Sequence, residues 1–238
     1  MCSFFSILTF MKRGSKVLWI AQRLQERYGP IVFLRGDPVE TLVRTILSQN
    51  TSDTNRDRAF RALLDRFGDL KSVREAPVEK IAQAIRVGGL HRQKAVRIQQ
   101  VLRRIEKKMG SLDLSFLVDL SLEEGMAWLL ASPGVGRKTA GIVMLFCLSK
   151  PYFPVDTHIQ RVLTRMGILS GKEDPHERMN TVLPADLELM KTLHLGLIRF
   201  GREVCHPRNP RCSICPLCSK CEWGKEHTAR KEGICSSK

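Results

Sequence analysis

LLASPGVGRKTAGIVMLFC, residues 129–147, reads as the end of one helix, a short break and the start of another. Apolar residues before Ser132 and after Lys138 recur at helical spacing, and Pro133 ends the first run because it has no amide hydrogen and a fixed φ. Gly134 and Gly136 permit backbone angles that a β-carbon resists, and they let the chain pass close to another surface. A tight helix–hairpin–helix with the amides of Gly134, Val135, Gly136 and Arg137 near a helix N-terminus suits a DNA phosphate. Taken alone, a PGVG break is an ordinary turn between helices.

Outward from this stretch the same periodicity continues. Residues 39–49, with Pro38 as a start signal, and 54–66, 77–86, 92–108, 122–131, 137–149, 157–166 and 187–200 all repeat apolar side chains near 3.6. Glycines 68, 88–89, 110 and 167 punctuate them. No alternating strand pattern interrupts the series, so the expected class is all-α.

Composition narrows the function. Thirty-nine Lys and Arg against 24 Asp and Glu leave +15 on 238 residues, which points to a polyanionic partner, nucleic acid first. No apolar run approaches the ~20 residues of a membrane span, so no membrane partner is expected. The apolar opening MCSFFSILTF has its basic residues, Lys12 and Arg13, after the run and not before it, unlike a signal peptide. It reads as an extension with little structure, and Met11 is an alternative start. Eight cysteines, five of them within residues 205–221, indicate a metal in a reducing compartment more than a disulfide framework.

Two residues invite chemistry. Lys138 falls in the first turn of the second hairpin helix, beside Arg137, where the helix N-terminus and a neighbouring cation both disfavour an ammonium. An amine that loses its proton more easily is a nucleophile; in another setting it would be a solvated charge or a phosphate contact. In FPVDTHIQRVL, 153–163, Asp156 precedes an apolar-periodic helix, and by itself it reads as a helix cap.

SPGVGRKTAGIV, then VDTHIQRV, then cysteines at 205, 212, 215 and 221 together resemble the endonuclease III family of helix–hairpin–helix DNA glycosylases, over about residues 35 to 223. The resemblance implies two α-helical domains with the active-site cleft between them. A six-helix domain over 31–150 would carry the hairpin, and 1–30 plus 151–238 would form a cluster domain. Composition, not the resemblance, makes 1–10 and the polar tail from about 226 to 238 read as disordered. It also implies that Lys138 attacks the sugar C1′ of a damaged nucleotide and that Asp156 is the catalytic carboxylate. A lysine at this position favours a bifunctional glycosylase/AP lyase acting on oxidised pyrimidines and abasic sites in double-stranded DNA, for which a monomer suffices, in the cytoplasm with the nucleoid. The rival readings are a mismatch-type uracil/thymine glycosylase on the same scaffold, purine excision opposite a lesion, and a non-catalytic DNA-binding module.

An everted base leaves a gap that must be filled. By resemblance, ILSQNTSD (46–53) carries the polar wedge and VGGLHRQKA (87–95) the apolar one, Leu90. The family's usual glutamine is replaced by Asn50, with Gln49 one position earlier, so either could be the polar wedge. Asp53 matches a family aspartate near the pocket, and Ser132 stands where the family has leucine.

The family spacing C-x6-C-x2-C-x5-C selects Cys205, Cys212, Cys215 and Cys221 as ligands of a [4Fe-4S] cluster and leaves Cys218 spare. A second set, Cys212, Cys215, Cys218 and Cys221, resembles a ferredoxin-like run, and zinc is the alternative metal. The helix LHLGLIRFGREVC leading into Cys205 favours the first set. Arg208, Arg211 and Lys220 would offset the cluster's charge and face phosphate.

Overall fold

Every regular element among the described residues is helical. A computed structural model of the chain describes residues 2–33 and 35–228. Short polar side chains start most of its helices. Asp37, Ser52, Asp69, Ser121, Asp156, Asp174 and Asp186 each accept a hydrogen bond from a first-turn amide of α2 (Pro38–Leu47), α3 (Asp53–Phe67), α4 (Leu70–Glu75), α7 (Leu122–Leu130), α9 (Thr157–Arg165), α10 (Pro175–Val182) and α11 (Leu187–Glu203) respectively. Each such cap stabilises its helix by ~1 kcal/mol, because it satisfies an amide that the helix itself cannot. At α7 the cap is reciprocal: Glu124 accepts from the Ser121 amide in turn.

The chain divides into two compact units, Leu34–Lys150 and Met1–Phe33 with Pro151–Lys238. The first holds α2–α8, including α5 (Val78–Ala84), α6 (His91–Met109) and α8 (Arg137–Ile142). Its axis is α6, whose Ala95, Ile98, Val101, Leu102 and Ile105 are fully buried at spacings of three, three, one and three. That stripe packs against α2, α4 and α5, while α8 packs on α2 and α7.

In the second unit α1 (Cys2–Tyr28) lies along α11, burying Val17, Ile20, Ala21 and Leu24 against a helix that buries Met190, Leu193, Leu197 and Phe200. α9 and α10 complete the bundle, and α12 (Glu222–Thr228) packs on α9.

The structure departs from the sequence expectation in several places. The N-terminal extension is helical from Cys2 and merges into α1, because the 17–24 stripe anchors it to α11. Helix α12 continues through Thr228; the rest of the expected C-terminal tail, 229–238, lies outside the described residues. The helix expected over 137–149 stops being α-helical at Ile142 and continues as a π-helical turn, Val143–Cys147. The short helices α4 and α10 were absent from the periodicity. No helix among the described residues is long and apolar enough to cross a membrane.

Candidate active site and cysteine centre

The hairpin is built on a four-residue turn. The Val135 amide donates to the Ser132 carbonyl at 3.1 Å, with Pro133 second and Gly134 third at φ +78°. A type II turn asks for proline and glycine in those places. Gly134 is needed for a second reason: a β-carbon there would lie 2.3 Å from the Arg97 side chain. Beyond the turn Gly136 is extended and starts α8 without a side-chain cap, so first-turn amides of α8 have no partner within the helix. Exposed Arg137 and half-buried Lys138 occupy that first turn.

Two of the expected DNA contacts meet protein here. Val135 turns inward: its side chain is 5% exposed and its amide closes the turn. Gln49 braces the hairpin. Its Nε2 donates to the Gly134 carbonyl at 2.9 Å, and its Oε1 accepts from Arg97 at 3.0 Å.

Asn50 and Leu90 look different. Asn50 (φ +52°) and Leu90 (φ +46°) both adopt left-handed backbone, both are exposed, and Leu90 keeps 51% of its surface in water. For a leucine that backbone costs ~1–2 kcal/mol. Strain that packing does not reward points to a functional placement. Asp53 opens α3, but the cap is Ser52, and Asp53 pairs with Arg56 at 3.0 Å.

Asp156 is the cap that its sequence context suggests, with Oδ1 accepting from the Ile159 amide at 2.8 Å. The segment leading into it is clamped by side chains. Asn180 accepts from the Phe153 amide at 2.7 Å, and His176 Nδ1 accepts from the Val155 amide at 3.2 Å. His194 Nδ1 lies 2.9 Å from the Pro154 carbonyl, which can only accept, so that nitrogen carries the proton. Sequence reading missed these three residues. The signal was present in buried histidines on otherwise apolar faces of α10 and α11.

The far end of α9 is fastened to the cysteine loop. Arg161 donates to the carbonyls of Cys205 (2.9 Å) and Gly201 (2.8 Å). Arg165 donates to the Cys205 sulfur (3.2 Å) and to the carbonyls of His206 (2.7 Å) and Pro207 (3.0 Å), and its guanidinium sits 4.5 Å over Trp223. Arg165 is thus a cation that reaches sulfur, and its i,i+4 relation to Arg161 on α9 was its mark in the sequence.

Cys205, Cys212, Cys215 and Cys221 are free thiols, and all four line one pocket with Arg165, Val204 and Trp223. Cys218 also reaches the wall but is disulfide-bonded. The loop is a chain of tight turns, the amides of Cys215, Cys218 and Cys221 each donating three residues back. Burial pushes the Cys215 thiol up to about 12, and the neighbouring Cys221, Cys205 and Cys212 push the same way. Burial also raises Cys212 and Cys221. Thiols in this setting resist ionising together unless a cation joins them.

Residues 43–184 match the model of the HhH-GPD superfamily of base excision DNA repair proteins. The chain is 36% identical over 206 residues to an endonuclease III from Thermotoga maritima, covering 86% of this chain and 91% of the relative. Among solved structures it is similar to a non-covalent endonuclease III–DNA complex, with a TM-score of 0.76, 26% identity, and coverage of 92% of this chain and 99% of the other. It is similar too to a trapped endonuclease III–DNA covalent intermediate, with a TM-score of 0.74, 26% identity, and coverage of 90% and 97%.

Proposed function

Because this chain belongs to the endonuclease III family of HhH-GPD base excision repair proteins, we propose that Lys138 is the nucleophile and Asp156 the catalytic carboxylate of its reaction. The enzyme is a bifunctional DNA glycosylase/AP lyase. The observation that carries the residue assignment is the placement of Lys138 in the first turn of α8, directly after the Pro-Gly turn.

The chemistry follows from these groups. The neutral Lys138 amine attacks C1′ of an everted deoxynucleotide; the new C–N bond replaces the glycosidic bond, whose electron pair leaves with the base. Ring opening gives an iminium between Nζ and C1′, which acidifies the C2′ protons. Loss of one breaks the C3′–O bond, and the phosphate departs with its electron pair. The strand is thereby nicked on the 3′ side. Asp156 stabilises positive charge on the sugar and takes part in proton transfer, and the cap bond at Oδ1 holds it in one orientation. Asn50 and Leu90 fill the gap left by the everted nucleotide. The substrates are oxidised pyrimidines in duplex DNA and abasic sites.

The four free thiols fit an iron–sulfur cluster. The cationic core of a [4Fe-4S] cluster would offset thiolate charges that burial disfavours. Cys205, Cys212, Cys215 and Cys221 would hold it, with Arg165 donating to one sulfur. When bound, the cluster supplies a rigid support for the loop. Iron and sulfide should be lost on Cys205→Ser and kept on Cys218→Ser; the reverse result would select the other set of four.

Borohydride reduction of the iminium tests the nucleophile. The protein should be trapped on abasic DNA and Lys138→Ala should not; an unchanged trapped band removes the assignment. Excision from thymine-glycol duplexes and not from G·T or G·U duplexes supports the substrate class, and the opposite preference replaces it with mismatch repair.

A further inference from the structure

Lys94 is a lysine with no exposed surface. Its ammonium donates to the carbonyls of Leu47 at 2.7 Å and Gly88 at 2.8 Å. Burying a cation is costly, and an apolar side chain of the same length would fill the space without that cost. What the amine adds is the tie between its two acceptors. Both acceptors end helical segments, Leu47 closing α2 and Gly88 closing the turn Arg86–Gly88, and carbonyls at such ends lack helical partners and favour a cation.

The tie joins the two loops that carry the strained, exposed residues. Asn50 lies three residues beyond Leu47, and Leu90 two beyond Gly88. Lys94 itself sits in the first turn of α6, the helix that Leu90 starts in left-handed conformation and without a side-chain cap. One turn further along α6, Arg97 holds Gln49, next in sequence to Asn50. The two loops therefore hang from one rigid helix.

We propose that Lys94 is a positioning residue for base eversion: by bridging the Leu47 and Gly88 carbonyls it fixes the spacing of Asn50 and Leu90, so that both enter the duplex together. This rests on the glycosylase reading and deepens it. Lys94 touches no substrate; it acts through the two loops.

The test separates steps that need eversion from steps that do not. Lys94→Met keeps the volume and removes the donors. Excision from a fully paired lesion duplex should fall on the order of 100-fold, the scale of an ångström-sized misplacement. The fluorescence rise of 2-aminopurine beside an abasic analogue, which reports wedge insertion, should vanish. Nicking of an abasic site in single-stranded DNA should stay within about twofold, since no stacked base has to leave there. Adding Leu90→Ala to Lys94→Met should cause no further loss, as expected for residues acting as one unit. Equal losses in all three assays, or losses that multiply in the double variant, overturn the proposal. Lys94→Gln, which keeps one donor, replaces Met if Met does not fold; if neither folds, Lys94 is a folding requirement and the positioning role is wrong. A parent protein that neither excises nor nicks would instead overturn the glycosylase reading on which this inference stands.

Discussion

The Ser132 hydroxyl is buried, with 3% of the residue exposed, and has no hydrogen-bond partner. A buried polar atom in that state costs ~1–3 kcal/mol. Ser132→Ala removes the atom without crowding the hairpin, so it should raise the melting temperature by about 2–4 °C for a chain of this size, with abasic-site nicking unchanged. Leu90 offers the opposite combination. Leu90→Gly relieves its left-handed backbone and should leave stability equal or higher by up to ~1 kcal/mol, yet excision from paired duplex should fall. A mutation that stabilises and inactivates together is what a functional strained residue predicts; a fall in both would make Leu90 a packing residue. The identity of the polar wedge was open at this scale in the sequence, since Gln49 and Asn50 are adjacent amides. The difference lies in their partners: Gln49 is held by Gly134 and Arg97, whereas Asn50 stands exposed at φ +52°.

At the level of elements, the hairpin is a turn plus its brace. Removing the brace by Gln49→Ala leaves the Gly134 carbonyl and the Arg97 guanidinium without this partner, and should cost ~1–2 kcal/mol in stability. Affinity for an abasic-site duplex should weaken by about tenfold, on the scale of one lost hydrogen bond, with the single-turnover rate of trapped-complex formation at saturating DNA little changed. A large fall in that rate with unaltered affinity would place Gln49 in the chemistry instead. Long amphipathic helices were legible because a buried stripe repeats over several turns, as along α6 from Ala95 to Ile105. The short α4 and α10 were not, because six or eight residues hold too few repeats to stand out. Helix α1 was hidden for another reason: its apolar beginning reads as an extension with little structure, and the stripe from Val17 to Leu24 that packs on α11 lies further along the helix.

For the whole molecule, the +15 charge makes binding to DNA depend strongly on salt. Each phosphate contact contributes ~0.9 to the slope of log affinity against log salt. Arg137→Ala should weaken binding to damaged and undamaged duplex alike and lower that slope by about 0.9, while nicking at saturating DNA persists. An unchanged slope would show that Arg137 faces protein instead of phosphate.

The sequence by itself determined the helical class and the family, because both are written in local spacing: a stripe, a Pro-Gly turn followed by lysine, a set of cysteine intervals. Only the tertiary structure decided which amide braces and which stands exposed, which arginine reaches sulfur, and that a buried lysine ties two loops. These depend on contacts across long sequence separations, 47 residues for Lys94 and Leu47 and 40 for Arg165 and Cys205. No local pattern encodes such a meeting; it exists only once the helices between have packed.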